Sequence, residues 1–305
     1  MPPEFAEVSV IIPACRAKET IARALDGVAA QTLKPREAIV VDDGSDDATY
    51  EAALKHKPRM KGVTLKVIRQ GNQGAGAARN RAIAAATQPI LAFLDADDEW
   101  LPEKLARSLA HMESGDYRLV AHNGWIVEDG EESLIDGARR FREGAQPFVS
   151  LYRKGYLDTC TVVTRRDAVL EAGGFDDGLR NGQDFEMWLA LLKDPDAKFL
   201  VFDEPLSRYY VTPDSIMSHT GRRLSCCLEI AGRYAPDLKN HPGSAIASLW
   251  YRIAAVHYEA IQVYRRRKNP LAILITLLKL PFHMIYLTLY FMIVQPPKRR
   301  KFLHK

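Results

Sequence analysis

Two periods of apolar residues alternate over the first 120 positions, and each change of period marks an element. Val8-Ser9-Val10-Ile11-Ile12 is a β-branched run stopped by Pro13, which predicts a strand. Ile21, Leu25 and Val28 then repeat at helical spacing within Thr20 to Ala30. Ala38-Ile39-Val40-Val41 predicts a second strand ending in Asp42-Asp43-Gly44-Ser45, Asp46 to Lys57 a helix, and Val63 to Ile68 a third strand. A glycine-rich loop from Gly71 to Gly76 leads into an alanine-rich helix, Ala77 to Ala86. Ile90-Leu91-Ala92-Phe93-Leu94 reads as a strand buried on both faces, and it runs directly into Asp95-Ala96-Asp97-Asp98-Glu99. A helix from Pro102 to about Met112 and a strand at Leu119-Val120-Ala121 follow. This alternation predicts βαβ units around a parallel sheet.

From Gly124 to Pro147 the pattern dissolves into charge and glycine, which predicts a loop-rich connection or a small hairpin. Leu157 to Thr164 is strand-like, and Asp167 to Ala172 is helical before Gly173-Gly174-Phe175-Asp176. Gln183 to Leu192 carries Phe185, Trp188, Leu189 and Leu192 at helical spacing, so Trp188 reads as core. Helical periodicity returns from Leu224 to Arg267. Leu271 to Val294 is long and apolar enough to span a bilayer. Lys279, Pro281 and His283 sit near its middle, however, and both flanks are basic, Arg265-Arg266-Arg267-Lys268 and Lys298-Arg299-Arg300-Lys301. Thr276, Lys279, His283, Tyr286 and Tyr290 form one polar stripe. The expectation is a helix lying in the plane of an anionic membrane surface, or a shallow pair bent at Pro281, rather than a span.

Composition and charge narrow the partners. With 305 residues, 47% hydrophobic and 26% charged, the chain can bury a sizeable core. The net charge of +4 is uneven, because Arg265 onward carries Lys and Arg without any acid. A mildly acidic body with a basic tail does not suit a nucleic-acid partner. Cys15, Cys160, Cys226 and Cys227 form no CxxC pair and no zinc spacing, which fits a reducing compartment. The N-terminal residues lack the pattern of a signal peptide, so the body is expected on the cytoplasmic side.

The polar signals share one location. Cys15, Asp42, Asp43, Asp95 and Asp97 all follow the carboxyl ends of predicted strands, the edge where open α/β sheets bind ligands. Asp95, Asp97 and Asp98 place like charges together, a cost that a hard divalent cation such as Mn²⁺ or Mg²⁺ removes. The bland reading is an acidic helix N-terminus, and for Asp98 that reading is retained, as a cap of the next helix.

Val8 to Pro13, Val41-Asp42-Asp43-Gly44-Ser45, Asn72 to Asn80 leading to Asp95-Ala96-Asp97-Asp98, and Gly173-Gly174-Phe175-Asp176 with Gln183-Asp184 come in this order. Together they resemble the family 2 glycosyltransferases of the GT-A type over roughly residues 8 to 215. The resemblance implies an α/β fold with a mostly parallel sheet flanked by helices, to which the periodicity of the remaining chain adds a C-terminal helical, membrane-associating tail. It implies a catalytic domain over 1–220, with a nucleotide-sugar half (1–120) and an acceptor half (121–220). A helical extension (221–268) and an amphipathic helix with a basic tail (269–305) would follow.

The resemblance also implies roles. Asp43 would accept from a uracil-like base, with Pro13 and Cys15 lining its pocket. The family usually has an aromatic and then Asn where this chain has Cys15-Arg16, so base stacking is weakened or supplied elsewhere. Arg79 would reach the nucleotide or its phosphates; otherwise it is a solvated helix charge. Asp97 would hold the metal with Asp95 in support, and Asp184 would be the catalytic base, with an N-cap as its structural alternative. Arg208 and His219 fall where the family often has a loop closing over the diphosphate, Arg208 as a donor contact and His219 as a further metal ligand. No Gln-x-x-Arg-Trp follows Asp184, which argues for transfer of one sugar. The expected activity is inverting, metal-dependent transfer from a nucleotide-diphospho-sugar, expected to be a UDP-sugar, to a lipid-linked saccharide. A nucleotidyltransferase would leave Asp184 without a role and has only Arg16-Ala17-Lys18 as a poor activating motif. A silent membrane scaffold would not need Asp43, Asp97 and Asp184.

Overall fold

The computed structural model of the chain describes residues 5–144, 146–211, 220–293 and 302. Four strands set the frame: β1 (Phe5–Ala14), β2 (Lys34–Asp43), β3 (Thr64–Gln70) and β4 (Ile90–Phe93). They pair in parallel in the order β3-β2-β1-β4. Period two decides which side each residue serves. Ile11, Ile39, Val41, Leu91 and Phe93 share one core with α3 (Ala75–Ala85) and α8 (Gln183–Leu192). Val10, Ile12, Val40, Ala92 and Leu94 share the other with α1 (Ile21–Ala29) and α4 (Lys104–Gly115). Because both faces are covered, these strands read as continuous apolar runs. A short helix, α2 (Thr49–Lys55), joins β2 to β3.

The sheet turns mixed beyond β4. Along its main path the order is β3-β2-β1-β4-β8-β6-β9-β5, where β5 is Glu99–Trp100 and β9 is Phe199–Tyr210, with β8 (Val163–Arg165) antiparallel to both β4 and β6 (Leu119–Glu128). The predicted strand over Leu157 to Thr164 shortens to β8, because its first half is a 3₁₀ turn over Thr159–Thr161. Local side-chain bonds explain this: Asp158 Oδ1 accepts from Cys160 N at 3.0 Å, and Thr161 Oγ1 donates to the Asp158 carbonyl at 2.8 Å. Between Gly124 and Pro147 the structure has a hairpin of β6 with β7 (Glu131–Ile135). Its turn residues Asp129 and Gly130 have φ of 52° and 83°, the backbone that a two-residue hairpin favours. Helices α5 (Gly137–Arg142), α6 (Pro147–Lys154) and α7 (Arg166–Ala172) fill the same half.

Two strands were not expected from the sequence. β9 (Phe199–Tyr210) runs parallel to β6 and antiparallel to β5 (Glu99–Trp100). Asp203-Glu204-Pro205 looks like a strand terminator, but register shifts between His122 and Trp125 on β6 accommodate the proline. β5 occupies the stretch between the acidic cluster and α4. Asp98 is therefore not a helix cap: α4 starts at Lys104, its N-cap is Glu103, and Asp98 is fully buried upstream.

Three helices close the chain: α9 (Thr220–Tyr234), α10 (Ala245–Arg266) and α11 (Pro270–Ile293). Ile230, Ala231 and Tyr234 of α9 and Leu249, Ile253 and Val256 of α10 enter the first core. α11 leans on α9 and α10 by a narrow face. Leu287 closes over Gly232, His257 Nε2 meets His283 Nδ1 at 2.9 Å, and Trp250 Nε1 donates to Thr288 Oγ1 at 2.9 Å. This divides the polar stripe. Thr276 and His283 face the body, while Lys279 and Tyr286 stand among exposed Leu274, Leu278, Phe282, Ile285 and Leu289.

Candidate functional site

The carboxyl ends of β1, β2 and β4 converge, and the side chains expected there are found around them. Asp42 is a turn residue: its carboxylate accepts from Ser45 N at 3.1 Å and from Arg69 Nε at 3.0 Å. Asp43, also buried, accepts from Gln70 Nε2 and Gln73 N at 2.9 Å and from Gly74 N at 2.7 Å. It thus fixes the glycine-rich loop that starts α3. Gly44 has φ of 67°, and a Cβ there would lie 2.6 Å from Asn72 N, so only glycine lets this loop approach β2. Pro13 pairs with Val41, and exposed Cys15 accepts from Asn72 Nδ2 at 3.6 Å. Partial burial, together with Asp43, pushes the Cys15 thiol up. Arg16 is turned outward to Asp46, at 2.8 Å.

α3 carries the next group. Gly76 lets it approach the Gly173–Gln183 segment, since a Cβ would meet the Asp176 carbonyl at 3.2 Å. Asn80 clamps that segment by both its amide atoms, accepting from Phe175 N at 2.7 Å and donating to the Phe175 carbonyl at 2.8 Å. Arg79 is not a solvated charge. It is buried, and its Nη2 lies 2.7 Å from Asp95 Oδ1. Burial disfavours the Arg79 cation, but Asp95 and Asp184 outweigh it and raise its pKa. Arg79 therefore acts on both the acidic cluster and the expected base.

The acids after β4 differ in environment. Burial and then Asp95 push Asp97 up to about 6, and its carbonyl accepts from Arg23 of α1. Asp98 accepts from the Cys160 thiol at 2.8 Å and from Tyr210 N at 3.0 Å, and burial raises its pKa well above normal. Asp95, Asp98 and Cys160 offer ligand atoms within 4.8 Å of one another. Burial and Asp98 push the Cys160 thiol up, and it donates to Asp98. The carboxylate oxygens in this group are those of Asp95 and Asp98, which fit a hard divalent cation, and Asp97, the expected metal ligand, is not among the three residues brought together.

Asp184 lies in the first turn of α8, whose N-cap is Gly182 rather than Asp184. Its Oδ2 accepts from Thr159 Oγ1 at 3.0 Å and its Oδ1 from Phe185 N at 2.8 Å. The Thr159–Thr161 turn thus touches Asp184 through Thr159 and Asp98 through Cys160. Trp188 is fully buried between Phe93 and Phe175. Arg208 is held by Glu132 at 2.7 Å and Glu99 at 3.4 Å, on the strand that ends at Tyr210. His219 lies outside the described residues.

Sequence reasoning missed four members of this region: Arg23, Asp158, Thr159 and Cys160. Arg23 stacks over the Tyr210 ring at 3.6 Å, a contact between elements far apart in the chain. The other three sit on the turn that reads as strand. Burial pushes Asp158 up to about 6.

The family model described as glycosyl transferase family 2 matches residues 9–171. The chain is 31% identical over 230 residues to the amylovoran biosynthesis glycosyltransferase AmsB of Erwinia amylovora, covering 72% of this chain and 75% of that one. It is 26% identical over 231 residues to WfgD of Escherichia coli, described as UDP-Glc:alpha-D-GlcNAc-diphosphoundecaprenol beta-1,3-glucosyltransferase, covering 75% and 87%. The mannosyltransferase PcManGT from Pyrobaculum calidifontis, solved in complex with GDP-Man and Mn²⁺, superposes with a TM-score of 0.61. That match covers 94% of this chain and 87% of that one at 17% identity, and it shows a shared fold.

Proposed function

We propose that this chain, which belongs to glycosyltransferase family 2, moves one sugar from a UDP-sugar to a lipid-linked saccharide during polysaccharide assembly, with inversion. The observation that carries this reading is the Thr159–Thr161 turn. It ties the Asp184 carboxylate to the acid cluster at Asp95, Asp97 and Asp98 through neighbouring residues.

In this reading Asp43 and the loop it fixes take the nucleotide beside Pro13 and Cys15, and Arg208 lies at the rim of the donor site. Asp95 and Asp97 hold a divalent cation, Mn²⁺ or Mg²⁺, which when bound neutralises diphosphate charge. Arg79 orients Asp95 and adds positive charge beside the departing group. Asp184 Oδ2, oriented by Thr159, removes the proton of an acceptor hydroxyl. The freed oxygen attacks the anomeric carbon as its bond to the diphosphate oxygen breaks, and the bonding electrons leave with the nucleoside diphosphate. One displacement without a covalent intermediate inverts the centre.

The lipid-linked acceptor rests on α11. This helix of 24 residues is long and apolar enough to cross a membrane, yet it leans on the body by one side. Its outward face carries Leu278, 60% exposed, and Phe282, 71% exposed. Such a face, next to the basic run Arg265 to Lys268, suits a helix lying in an anionic cytoplasmic membrane surface. WfgD, by its description, acts on a diphosphoundecaprenol-linked sugar.

The test is a panel of UDP-, GDP- and TDP-sugars scored by thermal stabilisation with and without Mn²⁺, because a ligand of the folded state raises its stability. Mn²⁺-dependent stabilisation by a UDP-sugar is expected. No stabilisation by any nucleotide sugar would refute the reading.

A further inference from the structure

α8 carries Asp184 in its first turn, yet its N-cap, Gly182, has φ of 73° and supplies no side chain to cap the helix. A helix start that lacks a capping side chain leans on tertiary contacts for its position. Here they come from α9. A Cβ on Gly182 would lie 3.2 Å from Ile230 Cδ1, so α9 packs directly against the start of α8. One turn farther along α9, Arg233 spans the junction. Its Nη1 lies 2.6 Å from Asp176 Oδ2 and 3.2 Å from Glu186 Oε1. Tyr234 Oη donates to the same Glu186 oxygen at 2.6 Å. Arg233 Nη2 reaches Glu229 of its own helix at 2.9 Å.

Glu186 is fully buried, and Asp176 is buried too. Carboxylates so placed are costly unless a cation stays with them. Burial disfavours the Arg233 cation, but Asp176 and Glu186 outweigh it and raise its pKa. Both acids frame the base in the chain. Glu186 follows Asp184 by two positions. Asp176 ends the Gly173–Asp176 segment, which Asn80 of α3 clamps at Phe175. One guanidinium therefore joins α9 to both ends of the stretch that presents Asp184. α10 adds a second hold. The Arg252 guanidinium lies 4.4 Å from the Phe185 ring centroid, and Phe185 N donates to Asp184 Oδ1 at 2.8 Å.

We infer that Arg233 is a positioning residue for the base: by bridging Asp176 and Glu186 it fixes the first turn of α8, and with it the direction in which Asp184 Oδ2 faces. This rests on the glycosyltransferase reading and makes the C-terminal helices a working part of its site. The partners of Arg233 are protein carboxylates, so it acts through Asp184 rather than on the substrate. Its removal should slow the chemical step without altering donor binding. Lysine replaces it only in part, because a point ammonium lacks the planar fork that here meets three carboxylates.

The test is a double-mutant cycle on the full chain, read as UDP release from UDP-glucose, UDP-galactose and UDP-N-acetylglucosamine with octyl glycosides or water as acceptor. Arg233→Met should lower kcat roughly 10²-fold, the loss that a misplacement of about 1 Å can cause, with donor KM within about twofold of wild type. In an Asp184→Asn background the same substitution should change kcat by less than about twofold, since residues that act as one unit are not additive. Arg233→Lys should recover kcat to within about tenfold of wild type. If Arg233→Met has no cooperative melt, Arg233→Lys carries the cycle. Hydrogen exchange adds a readout that needs no substrate. Peptides covering 182–188 should exchange about tenfold faster in Arg233→Lys, and those of β1 and β2 as in wild type. Wild-type kcat in a folded Arg233 variant, an equal fall in the Asp184→Asn background, or unaltered exchange at 182–188 would each overturn the inference alone. Wild-type kcat in Asp184→Asn would instead strike the base assignment, and the inference with it.

Discussion

Arg79 Nη2 lies 2.7 Å from Asp95 Oδ1, and the arginine that makes this contact is buried. A cation held inside the fold beside the acid cluster pre-sets the charge of the site before any ligand arrives. Arg79→Met should leave Asp95 unpaired. Since Asp95 keeps some solvent, the cost to stability should be about 1–3 kcal/mol, below that of a fully buried broken pair. Transfer should fall roughly 10²-fold, the usual loss for one removed charge-stabilising donor. Chemical denaturation and steady-state kinetics check the two numbers; wild-type turnover in the variant would remove Arg79 from the site.

The cysteines make a separate prediction. Cys15 is exposed beside Asp43, while Cys160 is buried against Asp98. Iodoacetamide should label Cys15 in the native protein and Cys160 only on unfolding. UDP should slow labelling at Cys15 if that thiol lines the nucleotide pocket. Mass spectrometry of the labelled peptides reads both outcomes, and equal labelling rates with and without UDP would move the base elsewhere.

The frame of the fold and the position of the site could be read from the chain because their signals are local. Apolar runs that end in Asp42-Asp43 and Asp95-Ala96-Asp97-Asp98 place strand and carboxylate in one stretch, and the alternation with helices sets the shared edge. The second half resisted because long-range pairing overrode local punctuation. Pro205 sits inside β9 only because β6 shifts register opposite it. Asp98 looked like a cap because its real partners, Cys160 and Tyr210, are 62 and 112 residues away. The stripe on α11 was visible as a period, but which of its members faces the body depended on His257 and Trp250 of α10.

Asp97 gives a pH prediction. Its folded pKa is near 6 and its ordinary value is 3.8. Between these values the folded chain holds more of this proton than the unfolded chain, so Asp97 costs stability increasingly as pH rises through the window. In EDTA, Asp97→Asn should therefore be more stable than wild type, and by a larger margin at pH 7 than at pH 5. With Mn²⁺ at pH 7 the order should reverse, because only wild type gains the ion. Melting temperatures of both proteins at the two pH values decide it; a margin independent of pH would contradict the assignment.

The outward face of α11 should behave as a membrane contact. Leu278→Glu combined with Phe282→Glu removes two exposed apolar side chains that touch little of the body. Burying each such side chain is worth roughly 1.5–3 kcal/mol, so binding to anionic vesicles should fall about 10²-fold or more. Melting temperature should barely change. Unaltered co-sedimentation with phosphatidylglycerol vesicles would argue against this face as the docking surface.

The account turns on Asp184, whose carboxylate Thr159 holds at 3.0 Å while the acid cluster stands across the same turn. The direct measurement is transfer by Asp184→Asn alongside its Mn²⁺-dependent affinity for the UDP-sugar. Amide for carboxylate preserves shape but removes the base, with the amide oxygen still able to accept from Phe185 N and the amide NH2 donating to Thr159 Oγ1. Turnover should fall by roughly 10²–10⁴-fold with donor affinity within twofold of wild type. Wild-type turnover in that variant would contradict the central claim.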